Sequence, residues 1–511
     1  MNKCIPLLVA AIWAGILLCI GVQSYAASSI SVAIDEPPHT MDPHGSRATS
    51  NLSIMANLFD GLMQRKGPAG ILNPALAVKQ QHPDPLTWVF YLRKGVKFHN
   101  GNPFDAEDVK FSLERLSDPR FSDFTTLVKD IDSSEIIDNY TIVIKTKQPV
   151  PWFIHDCHQL FIMDKESTEA RKPGDVTVKP IGTGAYKLDE WVKGSHVKMV
   201  ANEDYWEGAP QIKNVGIRPI GGSSIRFDAL LSGQVDMITG VPVELFDNVV
   251  QNPKLDVISR PARRSIFLAL GNKQGTPWAD IRVRKAIYMA INEDEIIEKI
   301  MGGHASPAAQ VPDPPTIGYN PDLRRLPYNP EMAKQLLKEA GYDKGFEITL
   351  SGPKDLYAHD EKIIEAIARY LNKVGIRAKT EVKSMSVLLP KIFQGQLEFY
   401  LIGWFDRAFD LGRTYRKLIH TREREKSLGS LNGTNFSALA IDAFIEYTLS
   451  VVDQDYREKL LQDLNKMAMI DKIALIPLHY QHDLYAIQKG RAMSFQPRPD
   501  GWIVCKEIFK R

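Results

Sequence analysis

Apolar and polar positions along the chain divide it into alternating strand and helix signals punctuated by Gly and Pro. Trp88-Val89-Phe90-Tyr91-Leu92 reads as a strand with one buried face, and Val96-Lys97-Phe98 carries that period to the Asn100-Gly101 turn. Asp105 then precedes a helical stripe of Val109, Leu113 and Leu116, with acids early enough to suit the positive end of the helix dipole. Asn329-Pro330 opens a second helix carrying Ala333, Leu336, Leu337 and Ala340, which Gly341 stops ahead of a strand at Phe346–Leu350. Ile363, Ile364, Ile367, Leu371 and Val374 make a third stripe, and Gly375 separates it from a strand through Ile376, Ala378, Thr380 and Val382. Two helix–strand units in succession predict an α/β lobe with a largely parallel sheet. Tyr456, Leu460, Leu461, Leu464 and Met467 mark a late helix leading into a short buried strand over Ala474–Tyr480. With no repeats, low-complexity tracts or long linker, short crossings must join the lobes, as a hinge requires.

The N-terminus changes the picture of where this fold works. Residues 1–27 combine a basic Lys3, an apolar core from Ile5 to Ile20 and Ser24-Tyr25-Ala26. That order predicts a cleaved signal peptide, with processing near Ala26 or Ala27, and a periplasmic protein. The formal charge is +2, and loss of Lys3 with no acid takes it to +1 (2 − 1). Such a balance gives no field to draw nucleic acid or an anionic membrane. The remaining length, about 485 residues, exceeds what one core accommodates and predicts two or three lobes. Cys157 and Cys505 remain after cleavage; export permits them to pair, although no framework of spaced cysteines surrounds them.

Candidate chemistry is sparse. No G-x-S-x-G elbow, H-E-x-x-H helix, phosphate loop or C-x-x-C is present, which counts against a secreted hydrolase. His155-Asp156-Cys157-His158 and the pair His479 and His482 could ligate a metal, but neither makes a complete set, and a solvated loop or a satisfied buried histidine is the better account of each. No cofactor or resident metal is expected. In YLIGWFDRAFDLG (400–412), Trp404 ends an apolar run, and Asp406, Arg407 and Asp410 follow. Ligands gather at the carboxyl ends of strands in α/β lobes, so Trp404 is either a stacking wall beside charged groups or a core residue sealing the lobe.

Several ordered markers resemble the bacterial extracellular solute-binding proteins of family 5, the dipeptide, oligopeptide and nickel-complex receptors of ABC importers. They are Thr40-Met41-Asp42-Pro43-His44, Asn57-Leu58-Phe59-Asp60-Gly61-Leu62 and the run from Phe90 to Gly101, followed by Asp105–Val109. Gly182-Thr183-Gly184-Ala185-Tyr186, Tyr205-Trp206, Gly233–Asp236, Asp280–Ala286 and Ile476-Pro477-Leu478 complete the set. The resemblance implies a clamshell of two α/β lobes with a hinge and an inserted third lobe. Lobe I would take 28–60, 180–270 and 477–511, the insert 61–179, and lobe III 271–476. It further implies a monomeric, non-enzymatic receptor that encloses a peptide-like or other small organic solute and docks on an inner-membrane ABC permease. A metal-chelate receptor of the nickel type is the alternative.

Two departures concern the ligand's end groups. The family's peptide receptors carry an aspartate three residues after the tryptophan, where it pairs with the peptide's amino group; Arg407 stands there in this chain. Relatives often read D-R-Y where this chain has Asp355-Leu356-Tyr357. Arg407 therefore faces the cleft and holds an anion or sugar hydroxyls, or folds back on Asp406 or Asp410, or is solvated on a loop. Arg47, Ala48 and Thr49, together with Tyr357 and His359, occupy positions that face the cleft in the family, so the candidate ligand contacts are Trp404, Asp406, Arg407, Asp410, Tyr357, His359, Arg47 and Thr49.

Overall fold

The computed structural model describes residues 29–489 and 493–510; the signal-peptide reading lies outside them. An 11-stranded mixed sheet runs through the molecule. From one edge its strands are Arg377–Lys383, Glu347–Pro353, Phe399–Trp404, Leu255–Leu270, Leu475–Gln488, Met237–Thr239, Ser29–Ile34, Asn214–Pro219, His196–Ala201 and Tyr186–Val192. Ala305–Pro307 pairs on the side with Leu475–Gln488. A separate four-stranded antiparallel sheet holds Ala77–Asp84, Thr87–Leu92, Thr141–Thr146 and Ile131–Asp138.

Most predicted elements form where their patterns place them. Asp105 caps the helix Ala106–Ser117 in a reciprocal box with Asp108. Asn329 caps Pro330–Glu339, and Glu347–Pro353 pairs in parallel with Arg377–Lys383. Two expectations need correction. Val96–Phe98 is not a strand; only Lys97 makes an isolated bridge, to Pro103. The strand expected over Ala474–Tyr480 runs 14 residues, from Leu475 to Gln488, because it serves four cores.

The length of that strand follows from its partner. Leu255–Leu270 is 16 residues long, and the two pair antiparallel along nearly their full extent. Ile266, Leu268 and Leu270 enter one hydrophobic core while Phe267 and Ala269 enter another on the opposite face. At the far ends of the pair, Leu484 and Ala486 join a third core, and Tyr485 and Ile487 a fourth that also contains the insert's Trp88, Phe90 and Ile144. The ladder shifts register between Pro261 and Ser265, where one half meets the other.

The family-like markers are packing devices. Asp60 is buried and accepts from Thr183 Oγ1 (2.9 Å), Tyr205 Oη (3.0 Å) and Trp206 Nε1 (3.0 Å), tying three markers together. Arg284, also buried, donates to the carbonyls of Leu270, Lys472 and Ile473 beside the long strands. Gly184 donates its amide to Leu58 O at 3.1 Å where two backbones cross. A methyl group there would lie 2.4 Å from Leu58 C and 2.5 Å from Asn57 O, in helical backbone that cannot yield. Gly184→Ala is expected to cost about 1–3 kcal/mol, as overpacking does, read from the urea midpoint; an unchanged midpoint would refute the close crossing.

Candidate functional site

A cavity of about 560 Å³ lies where the two long strands cross between the lobes. The irregular stretch Ala262–Arg264 and the facing Gln481–Tyr485 contribute to its lining, as do Thr49 and Ser50 from the helix Thr49–Leu58. His359, Phe405 and Arg407 line it from the far lobe. Lining residues thus come from both sides of the hinge.

The charges that follow the Phe399–Trp404 strand separate into distinct roles. Asp410 is wholly buried; both its oxygens meet Arg457, at 2.7 and 3.0 Å, and its side chain caps the helix Leu411–Leu418 through the Arg413 amide. The Arg457 guanidinium outweighs the cost of burial and holds the Asp410 carboxyl below its ordinary range. Asp410 therefore belongs to the fold, which corrects its assignment as a ligand contact. Asp406 is also buried, accepts from the amides of Ala408 and Asp410, and lies 3.7 Å from Arg413 Nε. Arg407 pairs with neither acid. Its Nη2 lies 3.5 Å from both Arg47 O and Thr49 Oγ1, and its guanidinium sits 5.2 Å from the Phe405 ring, at the cavity.

Trp404 does not line this cavity. It is half-buried, donates from Nε1 to Thr414 Oγ1 at 3.1 Å, and has Lys417 Nζ 5.8 Å from its ring. Consecutive residues of an extended chain face opposite ways, so the aromatic surface the cavity receives is that of Phe405. Tyr357 packs beneath Gly403, with its hydroxyl 3.3 Å from Gly403 O, and the neighbouring Ala358 and His359 are the lining residues. His359, in the left-handed region at φ 55°, places Nε2 3.3 Å from Glu244 Oε1, an acid contributed by the opposite wall. Arg47 turns away to Thr126 Oγ1 (3.2 Å) and the Phe124 ring, and Thr49 remains at the cavity.

Beside the cavity the lobes are in direct contact. Arg413 Nη1 meets Asp156 Oδ1 at 2.7 Å with both side chains buried. The Phe409 ring has one guanidinium on each face, Arg65 at 3.4 Å and Arg263 at 3.1 Å, and Arg263 is forked onto Asp313. Arg65 belongs to the side of the insert and Phe409 to lobe III, so this stack closes the seam.

The model of the bacterial extracellular solute-binding proteins, family 5, middle region, matches residues 72–423. The chain belongs to this family. It is 29% identical over 449 residues to the glutathione-binding protein GsiB of Escherichia coli K12, covering 86% of each chain. It shares 29% over 361 residues, 69% of each chain, with GsiB of Salmonella paratyphi A. Among solved structures, HbpA2 of Haemophilus parasuis superposes with a TM-score of 0.86 at 22% identity, covering 94% of this chain and 100% of that one. The periplasmic binding protein DppA of Helicobacter pylori, in complex with the peptide STSA, gives a TM-score of 0.73 at 26% identity, with 94% and 98% coverage. Family, relatives and fold agree on solute binding, within the clamshell of two α/β lobes.

Other sequence candidates are engaged within the family fold. Cys157 and Cys505 are buried free thiols, so the pairing that export would permit is not formed. Burial drives His155 down to about 3, with Arg65 adding to the effect, and Asp156 serves Arg413. His479 Nδ1 lies 2.6 Å from Glu293, and His482 bonds Ser259 and Ser306 through its two ring nitrogens. In the sequence Phe405 carries no signal that sets it apart from the larger Trp404 ring one residue earlier, although it is the ring that lines the cavity. Asp410→Ala should cost about 3–5 kcal/mol by leaving Arg457 buried without its acid; a chemical-denaturation midpoint within error of the parent would contradict the structural role.

Proposed function

We propose that this protein is a periplasmic receptor that closes around a peptide-sized organic solute and hands it, chemically unaltered, to an inner-membrane ABC permease. The observation that carries the reading is the polar cavity at the hinge, lined from both lobes. Only contacts made in the closed form shift an open–closed equilibrium, and this cavity offers them. Its volume of about 560 Å³ falls among small-molecule sites. Among the relatives, the glutathione-binding name supports a short peptide or peptide-like acid as the class of solute. Export follows from the signal peptide over residues 1–27, with cleavage near Ala26 or Ala27.

The hinge divides the lobes within the long strands. Residues 262–264 and 481 mark the change, where the ladder shifts and core membership switches, in place of boundaries at 270 and 476. Phe405, Arg407, His359 and Thr49 are the proposed ligand contacts, with Trp404 supporting the strand behind them.

Mass spectrometry of solute released on denaturing the purified protein, followed by calorimetry with that solute and with glutathione, tests the reading. Phe405→Ala is expected to weaken binding about tenfold or more, whereas Trp404→Ala lowers the melting temperature and leaves affinity within about twofold. The reverse pattern would return the site to Trp404. Conversion of the solute into product would end the receptor reading altogether.

A further inference from the structure

The lining of the cavity includes donors with nothing to donate to. Thr49 and Ser50, from the first turn of the helix Thr49–Leu58, line it, as does Ser53 one turn on. Ala48 provides no side-chain cap, and the amides of Thr49, Ser50 and Asn51 meet no acceptor among the described residues. A ten-residue helix with an open N-terminus concentrates partial positive charge there. Ser50 is only 8% exposed, and its Oγ has no hydrogen-bond partner. From the opposite lobe Arg407 adds a buried Nε that is likewise unpartnered, with Nη2 held only by the two 3.5 Å contacts to Arg47 O and Thr49 Oγ1.

The nearby acids are committed elsewhere. Asp500 accepts from Arg498 at 2.6 Å and from the Trp502 amide, and Asp406 accepts backbone amides. Burial, with Arg47 next in effect, draws the Arg407 guanidinium down to about 10, which signals positive charge lacking compensation. An unpaired buried hydroxyl and guanidinium nitrogen both cost free energy that an acceptor-only group would recover.

We infer that the helix N-terminus, Ser50 and Arg407 together form a carboxylate clamp, so that the solute presents a carboxylate, rather than an ammonium, to this end of the cavity. This rests on the reading of the cavity as the solute site. The polarity is opposite to that of a receptor with an acid at position 407. Because the donors come from both lobes, the carboxylate also bridges the hinge and rewards closure directly. Asp35, Glu244 and Asp483 line the same cavity and are acids that an amino group would meet.

Calorimetry on the full mature chain with trialanine, trialanine amide, N-acetyl-trialanine and glutarate tests the clamp. The parent protein is expected to bind the free acid about tenfold or more tightly than the amide, and Arg407→Gln to shrink that gap to about threefold or less. Ser50→Ala, a change that removes only the hydroxyl, is expected to weaken the acid more than the amide. An amide bound as tightly as the acid, or a gap that survives Arg407→Gln, overturns the clamp and leaves the peptide reading standing. N-acetyl-trialanine, which keeps the carboxylate, is expected to lose affinity on Arg407→Gln as trialanine does, and binding that ignores the substitution overturns the clamp. Glutarate bound in an Arg407-dependent way while no peptide binds keeps the clamp and removes the peptide reading; binding of none of the four removes both.

Discussion

The pairing of Leu255–Leu270 with Leu475–Gln488 is the constraint from which the other features follow. A strand pair of that length cannot belong to one core, and its residues are shared among four. The ladder is irregular from Pro261 to Phe267, with register shifts between Pro261 and Ser265 and between Ile266 and Phe267, so rotation is cheapest there. The cavity sits at that point because a bulged ladder frees Ala262, Arg263 and Arg264 to line it. A solute placed there lies on the axis about which the lobes turn, where small contacts gate a large movement.

Closure has its own electrostatics. The Asp156–Arg413 pair and the arginine-faced Phe409 ring join segments distant in sequence beside the cavity. Each requires charge to leave water, and a buried pair typically returns little net stabilisation for that cost. Their effect is to fix the closed geometry, while the solute provides the driving free energy. Phe409 itself has φ 60°, an unusual conformation for a bulky residue, which the two guanidiniums and the Asp410–Arg457 lock beside it hold in place. The seam is therefore defined in position more than it is adhesive, as a receptor that must reopen requires.

Helix stripes and α/β order were legible because period and punctuation agree over long stretches, as in Ile363–Val374 closed by Gly375. The length of the second hinge strand was not, since Gln481, His482 and Asp483 interrupt its apolar pattern where it passes the cavity. Polar lining erases the strand signal where the strand passes the cavity. Asp410 could have been read correctly: an acid immediately before Leu411 and the basic run Arg416-Lys417 is a helix start, with charges arranged for the dipole. Arg407 stood out as one of the charges that follow Trp404, whereas Thr49 and His359 were reached only through resemblance, because nothing in local spacing distinguishes a cavity residue from a surface one. Ser50 carries no sequence signal at all; its orphaned hydroxyl is a property of burial.

A ligand that directed an ammonium group at Arg407 would meet a costly contact. An ammonium desolvated against a guanidinium loses Coulomb energy and both hydration shells, with Asp406 turned to its own backbone and Asp410 locked to Arg457. A fold that retained such a ligand would need a new acid beside Arg407, and the acids closest to it are already paired or bonded. What the fold provides there instead is more donors: an uncapped helix turn, a buried hydroxyl and the field of Arg47. In the proposed clamp, Arg407 sets the preferred charge at that end of the site together with an opposite wall that already presents free N–H groups. Recognition in this architecture is thus set by which lobe supplies the counter-charge, and the shared hinge lets that choice change without disturbing the cores.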